Sequence, residues 1–256
     1  MAAPVLVAEG MTRRFGGVTA VDTMSLSLAA GTITGLIGPN GAGKSTFFNL
    51  VSGVVRADAG SLRFEGRDIT GLPAFRRARL GLIRTFQLSR EFARLTVLEN
   101  LMMAPQLQLG EHVGPIFLRR AAVRAADAEV LARAREVLAI ARLEPLADEY
   151  AGNISGGQKK LLELARTLMV DCSTILLDEP GAGVNPALME TLRDMIVRLN
   201  RDHAKTFLIV EHDMDLIARL CDPVVVMAEG RLMVEGSFDA VRQDRRVIEA
   251  YLGGAA

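Results

Sequence analysis

The sequence predicts an α/β fold: a core built on a parallel β-sheet, a small antiparallel β subdomain, and an inserted α-helical subdomain. Three features of the chain predict this organisation. A glycine-rich segment at residues 38–45 links an apolar strand to a helix, and strands alternate with helices after residue 157. Residues 95–142, in contrast, carry many alanines and no strand-like run. Strands separated by helices form parallel sheets, whereas a purely helical stretch indicates a separate lobe.

Length and composition narrow the classes of protein. At 256 residues the chain is near the upper limit for one hydrophobic core, so we expect one domain with a smaller lobe. Lys plus Arg and Asp plus Glu number 30 each, so nucleic acid is not an expected partner. The apolar runs are far shorter than the ~20 residues that cross a bilayer, and the N-terminus lacks the pattern of a secretory signal. Cys172 and Cys221 fit no metal spacing, and we expect both to be buried apolar residues.

The first part of the chain alternates short strands with turns. We expect strands at 5–8, 24–28, 32–37 and 61–65. The strand at 32–37 leads into the glycine-rich segment. The pattern as a whole indicates an antiparallel patch beside that strand.

The glycine-rich segment matches G-x-x-x-x-G-K-[ST], a pattern that cradles nucleotide phosphates. Glycines let backbone N–H groups converge on phosphate oxygens, and the following helix offers its positive end. Lys44 would reach the β- and γ-phosphates, and Ser45 would ligate Mg²⁺. The alternative is an ordinary glycine-rich turn with a solvated lysine. The candidate nucleotide-binding residues are Gly38, Pro39, Asn40, Gly41, Ala42, Gly43, Lys44, Ser45 and Thr46.

The helical lobe has its own start signal. Thr96 and Glu99 have the spacing of a capping box, which predicts a helix start, and residues 110–115 should break the lobe into two parts.

A second candidate anion site follows the lobe. Ser155 and Gln158 again have capping-box spacing before an amphipathic helix, expected at 159–169. Gly156 and Gly157 lie in its first turn, where they would let the N–H groups and the serine hydroxyl approach an anion. An ordinary helix cap explains Ser155 and Gln158 but leaves the two glycines without a purpose.

The strand expected at 173–177 ends in adjacent carboxylates, Asp178 and Glu179. Active sites of parallel sheets gather at the carboxyl ends of the strands, so Asp178 is placed to hold Mg²⁺ and Glu179 to polarise an attacking water. The alternative is a strand that ends in a polar turn.

The remaining elements continue the alternation. Asn185 and Pro186 predict the start of a helix at 186–200, and strands are expected at 206–210 and 224–227. The buried stripe expected on this helix consists of Leu188, Leu192, Met195, Ile196 and Leu199.

Taken together, the phosphate loop, the Ile154–Gln158 segment and the apolar strand before Asp178 and Glu179 resemble the motifs of ATP-binding cassette (ABC) ATPases. The resemblance covers essentially the whole chain as a single ABC ATPase domain, 1–256. It implies a P-loop NTPase (RecA-like) core at 1–87 and 166–256 and a helical subdomain at 88–165. It also implies that the chain binds ATP and Mg²⁺. In addition, it implies a dimer in which residues Ser155–Gln158 of one chain, the signature segment, complete the ATP site of the other chain.

Three further residues match that family. Gln87 matches the glutamine that senses Mg²⁺ and the γ-phosphate, and His212 matches the histidine that contacts the γ-phosphate. Phe15 matches the aromatic residue that stacks on adenine, with a core position as the alternative. His112 and His203 are expected to be solvated loop residues.

Within the family, the chain resembles the ATPases of branched-chain amino acid importers, the LivG-like group. Asn185, where most cassettes carry an aspartate, supports this subgroup. The resemblance implies two membrane permeases, a solute-binding protein, a second ATPase chain that is either identical or LivF-like, and a peripheral location on the cytoplasmic face of the inner membrane. It rests on the segments 15–21, 84–87, 96–100, 181–186 and 248–253.

Other functions stay open at this stage. Relatives in the group carry urea or short amides, so the sequence does not identify the solute. A non-transport ABC ATPase would have long insertions or two cassettes, and a P-loop kinase would leave residues 155–158 unexplained.

Overall fold

The computed structural model describes residues 4–85, 91–105 and 120–253. The chain forms two compact units. The first contains the described residues of Met1–Gln87, Cys172–Ala182 and Ile196–Ala256, and the second contains those of Leu88–Asp171 and Gly183–Met195.

The first unit contains an antiparallel sheet with the strand order β2-β1-β4-β5. Along β2, buried Met24, Leu26 and Leu28 alternate with exposed neighbours, as in a sheet with one face on the core. The antiparallel patch expected from the sequence is thus confirmed, although its two long strands run well past the predicted ends. The strands are β1 (Pro4–Phe15), β2 (Val18–Ala29), β4 (Ala59–Phe64) and β5 (Arg67–Asp68).

The same unit contains a second, mainly parallel sheet with the order β10-β9-β3-β8-β7-β6. Its strands are β3 (Ile33–Ile37), β6 (Leu82–Arg84), β7 (Thr174–Asp178), β8 (Thr206–Val210), β9 (Val224–Ala228) and β10 (Arg231–Gly236). Every residue of β3, β7, β8 and β9 is buried. This burial explains why these strands are continuous apolar runs rather than alternating ones. β10 alone pairs antiparallel, at the edge beside β9.

Helix α1 (Lys44–Ser52) joins the two sheets of the first unit through one hydrophobic core. Phe47 and Phe48 of this helix are fully buried there, among residues of both sheets such as Leu62 and Leu208. The other helices of this unit are α2 (Ala74–Arg79), the last part of α6 (Pro186–His203), α7 (Met214–Leu220), α8 (Phe238–Gln243) and α9 (Arg245–Gly253). The core therefore fixes α1 directly behind the glycine-rich segment.

The second unit is helical. It contains α3 (Val97–Met102), α4 (Arg120–Ala141), a short 3₁₀ helix (Glu144–Leu146), α5 (Gly156–Leu168) and the first part of α6 (Pro186–His203). Thr96 and Glu99 form the predicted capping box at the start of α3. The Arg133 guanidinium donates to the carbonyl of Leu168 at 2.6 Å and so satisfies the C-terminal end of α5. The predicted break at 110–115 lies outside the described residues.

The division of the chain differs in detail from the predicted one, which placed the helical subdomain at 88–165. Helix α5 runs without a break to Leu168, so a boundary at 165 would cut through its last turn. Residues Gly183–Met195 also belong to the helical unit. Among the described helices, none is long and apolar enough to cross a membrane.

Candidate nucleotide-binding and hydrolysis site

The glycine-rich segment runs from the end of β3 to the start of α1, and its shape requires glycine at two positions. Gly38 and Gly43 have φ angles of 152° and 95°. A Cβ atom on Gly38 would lie 2.0 Å from the carbonyl oxygen of Met227, and one on Gly43 would lie 2.2 Å from that of Ala20. A side chain at either position would therefore displace the backbone of a neighbouring segment.

The first turn of α1 presents its N–H groups without a competing side chain. Gly43 is the N-cap, no side-chain cap bond is made there, and the turn carries no acidic residue. The first N–H groups of a helix have no partner inside the helix, and the helix dipole favours negative charge at this end. This terminus can therefore accept a phosphate.

Lys44 spans the loop. Its ammonium donates to the carbonyl oxygens of Gly38 at 2.7 Å and Pro39 at 2.9 Å. Burial lowers the pKa of Lys44 from its ordinary value, and the nearby charge of Glu179 acts in the opposite direction. The amine is thus held over the loop, where phosphate oxygens can replace the carbonyls as its partners.

Asp178 ends β7, and its side chain is only 5% exposed. Its Oδ2 accepts from the guanidinium of Arg84 at 2.7 Å, and the same guanidinium donates to Asn49 Oδ1 at 2.5 Å and Ser52 Oγ at 3.1 Å. Arg84 therefore ties the carboxylate to α1. The sequence pattern predicted no role for this arginine.

The oxygen donors near α1 suit a magnesium ion. Ser45 is exposed in the first turn of α1, and Asp178 supplies a carboxylate. Within the described ranges, no cluster of three or more His, Cys, Asp or Glu side chains could hold a metal. A hydroxyl and one carboxylate, completed by phosphate oxygens and water, is the usual arrangement for Mg²⁺ bound with a nucleotide. The donor set thus fits the expected ion.

Glu179 and His212 face each other beyond the ends of β7 and β8. Glu179 Oε1 lies 3.2 Å from His212 Nε2, and the two side chains are 25% and 49% exposed. Glu179 has a φ of 48°, a conformation that non-glycine residues rarely adopt. An unusual backbone conformation at such a place is typical of functional sites.

One more carboxylate belongs to this region. Glu211 is buried between β8 and His212, and it accepts backbone hydrogen bonds from Gly181, His212 and Asp213. The residues predicted from the sequence did not include Glu211, although an acidic residue directly after an apolar strand is a signal that could have identified it.

The Ser155–Gln158 segment lies in the helical unit, and its capping box is confirmed. Gln158 N–H donates to Ser155 Oγ at 3.3 Å, and Ser155 N–H donates to Gln158 Oε1 at 2.8 Å. Ser155 and Gly156 are exposed, but Gly157 is buried and a Cβ atom there would lie 2.7 Å from Leu188 Cδ1. A side chain at 157 would therefore require the Leu188 side chain to shift. The sequence pattern predicted no such contact for this glycine.

The remaining candidates are placed as follows. Phe15 is 47% exposed, so it is not a core residue, and the guanidinium of Arg13 lies 4.7 Å from its ring centroid. Asn185 caps α6, since its Oδ1 accepts from Leu188 N–H at 2.9 Å. Thr46 is half-buried in α1, and His203 is exposed. Gln87 and His112 lie outside the described residues.

Pro39, Asn40, Gly41 and Ala42 also border an open cavity of about 690 Å³. Its other walls include Arg246 and Glu249 of α9. The C-terminal part of the chain thus lies beside the phosphate loop.

Comparison with known proteins agrees with this geometry. A family model described as ABC transporter matches residues 21–182, and one described as branched-chain amino acid ATP-binding cassette transporter matches residues 231–256. A solved ATP-binding cassette of an ABC transporter in its ADP conformation has a TM-score of 0.82 at 34% identity, over 98% of this chain and 100% of that one.

Two curated relatives match along nearly the whole chain. The probable branched-chain amino acid transport ATP-binding protein LivG of Archaeoglobus fulgidus is 40% identical over 97% of this chain and 95% of its own length. The high-affinity branched-chain amino acid transport ATP-binding protein BraF of Pseudomonas aeruginosa is 37% identical over 100% of both chains.

A phosphate loop, a strand that ends in two carboxylates and a histidine at the next strand end define a nucleotide-binding ATPase of the ATP-binding cassette class. Such proteins hydrolyse ATP as transporter subunits. The chain belongs to the ABC transporter family, in the group that contains the LivG and BraF ATP-binding proteins.

Proposed function

We propose that this chain is the ATP-binding subunit of an importer, and that it hydrolyses ATP to drive uptake of branched-chain or other hydrophobic amino acids. Its similarity to LivG and BraF along the full chain carries the proposal. The match of residues 231–256 to the branched-chain transporter model supports it independently, because that segment lies outside the general cassette match.

In this proposal the phosphates of ATP bind to residues 38–46. The free N–H groups at the start of α1 contact phosphate oxygens, and Lys44 turns from the Gly38 and Pro39 carbonyls to the β- and γ-phosphates. Phe15 stacks on the adenine, which its exposed ring permits.

The proposed catalytic residues are Glu179, His212 and Gln87. Glu179 orients the attacking water or takes its proton, and His212, 3.2 Å from it, holds the γ-phosphate in place. Lys44 offsets the negative charge that develops on the transferred group. The Glu179–His212 contact supports this assignment because it places a base and a donor side by side at the strand ends.

The proposed ligands of Mg²⁺ are Ser45, Asp178 and Gln87. The ion would supply positive charge to the β- and γ-phosphate oxygens. Asp178 would reach it after exchanging its contact with Arg84, or through water while the contact persists.

We further propose that a second cassette completes the site. Ser155, Gly156, Gly157 and Gln158 of one chain would close over the ATP bound to the phosphate loop of the other chain. Ser155 and Gly156 are exposed at the capped N-terminus of α5, and this supports the role because the positive end of a helix favours an anion. The second chain is either an identical copy or a LivF-like ATPase.

The remaining partners follow from the transporter assignment. We propose two membrane permeases and a solute-binding protein, with this chain bound peripherally at the cytoplasmic face of the membrane. Nucleic acid is not among the proposed partners, in line with equal numbers of acidic and basic residues.

Solute uptake by cells that lack the gene tests the proposal. Radiolabelled leucine, isoleucine and valine are compared with urea and a short amide, in cells complemented by the wild-type chain or by Glu179→Gln. The wild-type chain should restore amino acid uptake, and Glu179→Gln should not. Restoration of urea or amide uptake alone would assign a different solute, and unchanged uptake of all of them would argue for a cassette without a transport role.

A further inference from the structure

Glu211 is a buried charged residue that the proposed function does not use. It is 4% exposed and directly follows the buried strand β8. Burial, together with the negative charge of Glu211, raises the pKa of the nearby Cys221 thiol to about 12. Burying a carboxylate is unfavourable unless hydrogen bonds satisfy it.

Three backbone N–H groups satisfy this carboxylate. Oε1 accepts from Gly181 N–H at 2.6 Å. Oε2 accepts from His212 N–H at 2.7 Å and from Asp213 N–H at 3.3 Å. The two oxygens therefore hold two different loops, the one after β7 and the one after β8.

These loops carry the proposed catalytic pair. The β7–β8 ladder ends at the pairing of Asp178 with Val210, followed by one bond from Glu179 N–H to the Val210 carbonyl at 2.9 Å. Beyond this point the carboxylate of Glu211 joins the strand ends, two residues after Glu179 and at His212 itself.

The catalytic pair depends on the backbone for its placement. The side chains of Glu179 and His212 are 25% and 49% exposed, so packing alone holds them only in part. Because Glu179 and His212 lie on two different loops, the spacing of these loops contributes to the 3.2 Å separation between the two side chains.

We propose that Glu211 is a positioning residue that sets the distance between Glu179 and His212 by clamping both loops with one carboxylate. The inference rests on the proposed function of that pair. Glu211 itself touches no substrate in this account and acts through the two loops.

A carboxylate suits this task better than an amide. Each of its oxygens accepts, whereas glutamine would turn an NH₂ group toward one of the two loops and face a backbone N–H with a donor. Glu211→Gln keeps the size of the side chain and releases one loop.

The test measures ATP hydrolysis and ATP binding by the full-length chain and by Glu211→Gln. Positioning errors at a catalytic pair reduce turnover with little effect on substrate binding, so kcat should fall by about tenfold or more. KM and the dissociation constant for ATP should change by less than about twofold, because the phosphate loop is untouched. Glu235→Gln, in the exposed edge strand β10, is the matched control and should behave as wild type.

A structural role alone would give a different pattern. If Glu211→Gln lowers the unfolding midpoint and the ATP affinity together while kcat per folded molecule stays at the wild-type value, the inference is wrong. The same conclusion follows if kcat equals that of Glu235→Gln. Should Glu211→Gln fail to fold, Glu211→Asp keeps the charge but is too short to reach both loops, and the same fall in kcat is expected.

The controls separate this inference from the proposed function. A wild-type chain that shows no hydrolysis, or a Glu179→Gln chain that hydrolyses normally, would overturn the proposed function itself. Normal wild-type hydrolysis that depends on Glu179, combined with an unimpaired Glu211→Gln, would overturn only the positioning role.

Discussion

At the scale of single residues, the contact between Arg84 and Asp178 matters most for the proposed Mg²⁺ site. The pair is mostly buried, with side chains 15% and 5% exposed. Removing one partner of a buried pair leaves an uncompensated charge, which is strongly destabilising. The arginine therefore holds the Asp178 side chain beside α1.

Replacement of this arginine should reveal that role. Arg84→Met should lower the free energy of unfolding by about 2–4 kcal/mol, measured by urea denaturation. Mg²⁺ with ATP should then stabilise Arg84→Met more than wild type, because Asp178 regains a cation. Arg63→Met is the control, since its pair with Glu9 is about half exposed on both sides and should matter by less than about 1 kcal/mol. Equal losses in the two variants would contradict the assignment.

Phe15 gives a second prediction at this scale. Stacking of a base on an aromatic ring is worth about 1–3 kcal/mol, so Phe15→Ala should weaken ATP binding by roughly tenfold, while Phe15→Trp should retain it. Fluorescence titration of ATP measures both. Phe75→Ala removes another exposed phenylalanine with arginines near its ring, and it should leave ATP affinity unchanged. An equal effect of Phe15→Ala and Phe75→Ala would exclude adenine stacking on Phe15.

Single residues also show where sequence patterns fall short. Both capping boxes were predictable because their spacing depends on local geometry alone. The contacts of Arg84 and Glu211 depend on which strands become neighbours, and no local pattern contains that information. Gly157 shows the same limit, since its close contact is with Leu188, which is distant in sequence.

At the scale of elements, α1 is held at both ends. Its N-terminus forms part of the phosphate loop, and its C-terminal carbonyls, those of Leu50 and Val51, accept from the Arg77 guanidinium at 2.6 and 2.8 Å. Arg77 is 2% exposed, and burial lowers its pKa to about 10. Its other donors reach the carbonyls of Leu72 and Thr70.

Arg77 should therefore stabilise the element that carries the phosphate loop. Arg77→Met would leave buried carbonyl groups without donors and should reduce the free energy of unfolding by about 2–4 kcal/mol, again measured in urea. Arg76→Met, at an exposed position of the same helix α2, should be nearly neutral. If Arg77→Met leaves the free energy of unfolding unchanged, water replaces the guanidinium without a loss of stability, which would contradict this role.

The elements themselves were predictable in proportion to their length and pattern. The predicted ends of the buried strands β7, β8 and β9 lie within one or two residues of the observed ends, because continuous apolar runs bounded by turns leave few alternatives. Strands β5, β6 and β10 were not predicted. β5 and β6 have only two and three residues, and β10 is a partly exposed edge strand without a clear alternation.

At the scale of the whole molecule, two units carry different parts of the proposed chemistry. The phosphate loop, Asp178, Glu179 and His212 belong to the first unit, and Ser155–Gln158 belong to the helical unit. The sequence predicted this organisation because strand-rich and helix-only segments differ in composition. The proposed second chain that completes the site could be inferred only from the family resemblance, because no contact within one chain indicates it.

The most direct measurement is the rate of ATP hydrolysis per chain as a function of the concentration of the purified full-length protein. In the proposed dimer each site needs the Ser155–Gln158 segment of another chain, so the rate per chain should rise with concentration until dimers dominate. Ser155→Arg should abolish it at every concentration, whereas Ser237→Arg, at an exposed N-cap of the first unit, should not. A rate per chain that stays constant on dilution and is unaffected by Ser155→Arg would contradict the shared site.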